Sequence, residues 1–104
     1  MKNKSLKSHE QPDMVALCDA FLQLKTREEC HRFLLDLCTP AEVKAFSERW
    51  RVARLLQEGK LSYREIHAAT GVSVTTIGRV ARFLMQEPHQ GYSLVLQRIA
   101  TKAH

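Results

Sequence analysis

The chain has few of the residues that interrupt or cross-link a fold: four glycines, three prolines and three cysteines in 104 residues. Cys18, Cys30 and Cys38 are odd in number and form no Cys-x-x-Cys pair, which argues against a disulfide framework and a zinc knuckle and fits a reducing cytosol. On a helix, Cys30 and His31 point about 100° apart and Cys38 lies about two turns on, so these groups do not converge on a metal and read as buried structural cysteines. No apolar run is long enough to span a bilayer, and the opening MKNKSLKSHE lacks the apolar centre of a secretion signal. Neither a membrane protein nor an exported one is expected. There is no glycine-rich phosphate cradle, no supportable pair of catalytic carboxylates and no Ser-His-Asp set. No catalytic site, cofactor or metal is therefore expected.

What is present is a short chain with the balance of a globular domain, 44% hydrophobic and 26% charged. A chain this short buries a modest fraction of its surface, which makes self-association a reasonable way to complete a core. The formal charge is +5, and it is unevenly spread: Lys44 to the end carries ten basic and four acidic residues, Met1 to Val43 six basic and seven acidic. A positive second half favours a polyanionic partner.

No segment shows sustained strand alternation and no internal repeat is evident, so the expected class is all-α with about six helices. Residues 1–11 are polar and basic and read as a flexible arm, in which Lys2, Lys4 and Lys7 serve equally well to track phosphates or to solubilise. Residues 12–104 read as one helical domain. The first helix opens at Pro12 and carries Val15, Leu17, Cys18, Phe21, Leu22 and Leu24 as its apolar stripe. Thr26 to Glu29 is a capping box that opens a second helix, with Cys30, Phe33, Leu34 and Leu37 on its apolar face. Thr39-Pro40-Ala41-Glu42 combines a capping threonine, a proline at the first helical position and a box glutamate, and starts the longest helix. That helix carries Val43, Phe46, Trp50, Ala53 and Leu56 at spacings of three and four and stops at Gly59. Phe46 and Trp50 fall on its apolar stripe and read as dimer core rather than a stacking platform. Ser62 to Glu65 is a further box opening a short helix to Thr70, Ser73 caps another to about Gln86, and Leu94, Val95, Leu96 and Ile99 make a final short one after Pro88 and Gly91.

The segment from about 62 to 86 is a helix-turn-helix pattern, two short helices joined by a turn at Gly71 with Ile66, Val72, Ile77 and Val80 facing inward. On a helical wheel Val74, Ile77, Val80, Ala81 and Leu84 share one side, while Thr75, Arg79 and Arg82 lie broadly opposite. Hydroxyls and guanidiniums on such a face fit the major groove of double-stranded DNA, where they reach base edges or grip phosphate. Gly78 lies between the faces, where a missing side chain admits a close approach of backbone to DNA. His67 stands four positions before the turn glycine, where a small residue is usual, and must lean outward.

Thr39-Pro-Ala-Glu, Arg49 within ERWRVARLL, Gly59, Leu61-Ser-x-Arg-Glu and the run Gly71 to Arg79 resemble the Trp repressor family, in particular its YerC/YecD-type branch. The resemblance covers roughly residues 14 to 100 and runs without a gap from Thr39 to Leu84. It implies an intertwined, all-helical homodimer with the helix-turn-helix as a separate reading head, acting as a transcriptional regulator, most simply a repressor. Positions that contact operator DNA in the family correspond to Arg64, His67, Val74, Thr75, Thr76 and Gly78, with Arg64 at the arginine that reads a base. The two arginines that bracket the tryptophan corepressor correspond to Arg49 and Arg79, with Thr39 at a pocket-lining position.

The rest of that pocket departs from the family pattern. Val80 stands where the family has glycine and Phe83 where it has the serine that meets the ligand amino group. Val80 adds bulk, and Phe83 fills an indole-sized space while removing a polar partner, so tryptophan is not expected to bind. Phe83 would then stand in for the corepressor, leaving Arg79 and Arg82 free for phosphate; another small molecule between Arg49 and Arg79 stays open. Two other functions compete with DNA reading. One is a helical interaction or dimerisation module without specific DNA reading; the other is an RNA-binding accessory, which the lack of exposed aromatics argues against.

Overall fold

The computed structural model describes residues 11–102, and these hold six α-helices and no strand: α1 (Pro12–Phe21), α2 (Arg27–Leu37), α3 (Pro40–Glu58), α4 (Tyr63–Thr70), α5 (Val74–Met85) and α6 (Gly91–Lys102). The chain is all-α, as its periodicity predicts. The basic arm lies, apart from Gln11, outside the described residues. Among the described residues no helix is long and apolar enough to cross a membrane. The helices fall into two compact units, one ending at Thr39 and one beginning at Pro40.

In the first unit, Gln11 is extended and Pro12 opens α1, where a missing N–H leaves no helical bond unmade. The helix ends at Phe21, sooner than its apolar stripe suggests. The Gln23 and Leu24 amides turn back to the Ala20 and Phe21 carbonyls, each 3.1 Å away, so the chain tightens into a turn. The hydroxyl of Thr26 accepts the Glu29 N–H at 3.1 Å and caps α2 as expected. The returning arm of the box differs: the Glu29 carboxylate accepts from the Lys25 amide at 2.9 Å, one residue earlier than predicted. Phe21 and Phe33 meet edge to face at 5.3 Å and join the two helices. No residue of α1 or α2 is buried in the single chain.

The second unit holds the core. Val52, Ala53 and Leu56 from α3, Ile66 from α4, Val72 from the turn, and Ile77, Val80, Ala81 and Leu84 from α5 form one buried cluster with no buried polar group. Each fully buried aliphatic side chain there contributes about 1.5–3 kcal/mol of transfer free energy. α5 is central, packing on α3, α4 and α6. Gly59 ends the long helix at a φ of +71°, the left-handed conformation that glycine adopts without a Cβ clash. After α5 the chain turns through Gln90, which has a φ of +55° and donates from its side-chain amide to the Glu87 carbonyl at 2.7 Å. This turn lets α6 begin at Gly91, a turn earlier than the apolar residues from Leu94 onward predict.

Candidate nucleic-acid interface

The helix-turn-helix is assembled from local bonds. Ser62 accepts the Glu65 N–H at 3.1 Å while the Glu65 carboxylate accepts the Ser62 N–H at 2.8 Å, so the predicted capping box closes in both directions and starts α4. α4 ends where Gly71 takes a φ of +76°. Two side chains tie that turn. The Thr70 hydroxyl donates to the Ile66 carbonyl at 2.7 Å and accepts the Val72 N–H at 3.0 Å. His67 Nδ1 lies 2.7 Å from the Val72 carbonyl oxygen, which only accepts, so Nδ1 carries the proton in this contact. The histidine does lean outward, and it bridges the turn as it does so. Neither tie is readable from spacing alone, because both depend on the turn having closed.

Ser73 then caps α5 by accepting the Thr76 N–H at 3.1 Å, and its own hydroxyl donates to Thr76 Oγ1 at 3.1 Å. Ile77, Val80, Ala81 and Leu84 are buried, whereas Thr75, Arg79 and Arg82 are exposed. Val74 departs from its place on the wheel. Grouped there with the buried stripe, it is 54% exposed, because the first residue of α5 emerges from the turn ahead of the helical turn that packs. Thr76 is half-buried, with its hydroxyl engaged by Ser73. A Cβ built on Gly78 would meet nothing within 4 Å, so packing inside the chain does not require a glycine at that position. Arg64 and His67 are exposed on α4. Arg51, to which the sequence pattern gives no role, reaches from α3 to the Ala69 carbonyl at 3.5 Å, a long contact that ties α3 to the last turn of α4.

The positions expected around an effector pocket are arranged differently. Arg79, Val80 and Phe83 line one cavity of about 480 Å³ together with Trp50, Tyr92 and Val95. Trp50 and Tyr92 stack there at 6.4 Å. Arg49 turns back along its own helix, its Nε 3.4 Å from the Ala45 carbonyl and its guanidinium 5.1 Å from the centre of the Phe46 ring. Thr39 ends the first unit.

Phe83 is the centre of a cluster that the sequence did not predict. The guanidinium of Arg79 lies 4.4 Å from its ring centre and that of Arg82 5.1 Å, while the His89 ring runs parallel at 6.3 Å. Arg82 Nε is also 3.5 Å from a Glu87 carboxylate oxygen. Both arginines, expected to be available to phosphate, lie over an aromatic ring. The cysteines differ from expectation too: Cys18 is exposed and Cys30 and Cys38 are half-buried thiols, since the faces that carry them are not covered within the single chain.

Comparison with known proteins places this geometry in context. The family model described as Trp repressor protein matches residues 12–100. Over 83 residues the chain is 42% identical to YerC, an uncharacterized protein of Bacillus subtilis (strain 168), a match covering 80% of this chain and 78% of that one. Among solved structures it resembles a TrpR-like protein from Eubacterium eligens ATCC 27750, with a TM-score of 0.81 at 35% identity, covering 88% of this chain and 92% of that one. It also resembles a Staphylococcus aureus chain described as a candidate Trp repressor, with a TM-score of 0.80 at 34% identity, covering 96% of this chain and 95% of that one.

Proposed function

Because this chain belongs to the Trp repressor family, a family of DNA-binding regulators, we propose that it is a sequence-specific transcriptional repressor that reads double-stranded DNA as a homodimer, without tryptophan as corepressor. The observation that carries DNA reading is the division of α5. Its inner face is buried with α4, and its outer face presents Thr75, Arg79 and Arg82 beside the open surface at Gly78. In this reading Val74, Thr75 and Thr76 enter the major groove first, as the amino-terminal residues of a recognition helix do. Val74 offers an apolar surface to a thymine methyl, and Arg64 approaches a base or phosphate from α4. Two such heads about one duplex turn apart would read a palindrome, in the cytosol where the chromosome lies.

The dimer is argued from what one chain leaves uncovered. Met14, Phe21, Leu22, Leu35 and Leu37 in the first unit, and Phe46, Leu94, Val95 and Ile99 in the second, are all more than two-fifths exposed. Apolar surface on that scale in a small chain is what a second copy would cover. The independence from tryptophan is argued from Phe83, whose ring occupies the cavity wall beneath the Arg79 guanidinium and offers no polar group to an amino acid.

The test is in vitro selection of duplexes from a random library by the purified protein at near-physiological salt, with and without tryptophan. Enrichment of the same palindrome in both arms is the expected result. Enrichment only with tryptophan would overturn the corepressor claim. Binding without enrichment would favour a helical interaction module that has lost specific reading.

A further inference from the structure

Resting on the DNA-binding reading above, we infer that Phe83 is a positioning residue: its ring is the common seat of the Arg79 and Arg82 guanidiniums and fixes where α5 presents positive charge to a duplex. The two guanidiniums stand 4.4 and 5.1 Å from one ring centre. Arg79 precedes Phe83 by four residues, one helical turn, so their side chains meet on the same flank of α5. By the wheel Phe83 itself lies between the buried stripe and the exposed face bearing Thr75, Arg79 and Arg82, next to Arg79. Phe83 is half-buried while both arginines are exposed. A ring anchored in the wall of the molecule therefore seats two exposed cations.

The ring is held from the loop side as well. His89, from the turn after α5, lies parallel to it at 6.3 Å with the planes 9° apart. Arg82 has a second restraint in Glu87, at 3.5 Å from its Nε. A guanidinium stacked on an aromatic face keeps its hydrogen-bonding edges, because the ring contacts its flat face and its N–H bonds leave in the plane. Such an arginine remains able to fork onto a phosphate. What stacking changes is the entropy: long side chains ordered before binding lose less on contact.

The consequence is separable from a packing role. Phe83→Leu retains apolar volume and removes the ring; Phe83→Tyr retains the ring. Binding to mixed-sequence duplex DNA, followed by fluorescence anisotropy across a salt series, is measured for both, alone and in a protein that also carries Arg79→Ala and Arg82→Ala. Phe83→Leu is expected to weaken binding about tenfold. Phe83→Tyr should stay within about twofold of wild type, and Phe83→Leu should have no further effect once both arginines are gone. Wild-type affinity in Phe83→Leu overturns the inference. So does an equal loss in the absence of the arginines, which would mean that Phe83 acts on the fold and not through them. Should Phe83→Leu melt near the assay temperature, Phe83→Met carries the same comparison. If wild-type protein shows no salt-dependent duplex binding, the DNA reading itself fails, a result visible before any variant is made.

Discussion

The two units of this chain start their helices by the same means and finish them differently. α2 is opened by Thr26 and α4 by Ser62, each accepting the amide three residues on, so the local chemistry is equivalent. Yet α4 and its neighbours enclose nine buried hydrophobic residues, while α1 and α2 bury none. Capping decides where a helix begins; it does not decide whether its apolar face is covered. The contrast identifies α3 to α5 as the part whose core closes within one chain, whereas α1, α2 and α6 leave their apolar residues partly exposed.

The largest effect tests the internal core. Ile77 is fully buried at the centre of α5, and Ile77→Ala should remove about 2–5 kcal/mol of unfolding free energy, measured by urea denaturation. A loss below about 1 kcal/mol would contradict the placement of the core. The matching change in the first unit is Phe33→Ala, which deletes the edge-to-face contact with Phe21. Phe33 is half-buried in the single chain, so a cost of about 1–2 kcal/mol is expected, under half that of full aromatic truncation. If a second copy covers this unit, the melting temperature of wild type rises with protein concentration, and sedimentation shows Phe33→Ala weakening the dimer. Concentration-independent melting for both proteins would mean that the first unit is as self-sufficient as the second.

A smaller effect isolates the turn. Gly71 sits at a φ of +76°, and a Cβ there would meet nothing within 4 Å, so Gly71→Ala is opposed by backbone conformation alone. The expected loss is about 1 kcal/mol, read as a drop of a few degrees in melting temperature. Thr70 and His67 hold the same turn from either side through Val72, and a much larger loss would mean that this network breaks with the glycine.

The same division explains what could be read from the sequence. Helix starts at Thr26, Pro40, Ser62 and Ser73 and stops at Gly59 and Gly71 were legible because each is decided within four or five residues. The inward face of α5 was legible because periodicity reports burial directly. What escaped depends on residues meeting after the chain has folded. The early end of α1, the left-handed Gln90 and the exposure of Val74 are set by turns whose geometry no spacing encodes. Arg49, matched by resemblance to a pocket arginine, lies along its own helix against the Ala45 carbonyl, a rotamer that no spacing encodes. Arg79 and Arg82 are exposed as the wheel predicts, and their shared contact with the Phe83 ring is the part that periodicity does not reveal.

The smallest expected effect bears on that ring cluster. Glu87 and Arg82 approach to 3.5 Å with side chains 35% and 55% exposed, so solvent screens the pair and its contribution to stability is under about 0.5 kcal/mol. Its influence on DNA is a different matter, because Glu87 places a negative charge beside an arginine proposed to meet phosphate. Glu87→Gln is a clean change: Gln90 hydrogen-bonds the Glu87 backbone carbonyl and not its carboxylate, so the turn into α6 keeps its tie. The expected outcome is an unchanged melting temperature and about twofold tighter binding to mixed-sequence duplex DNA at low salt, the gain shrinking as salt rises. Weaker binding would mean that Glu87 orients Arg82 more than it neutralises it. The carboxylate would then belong with Phe83 among the groups that aim the outer face of α5.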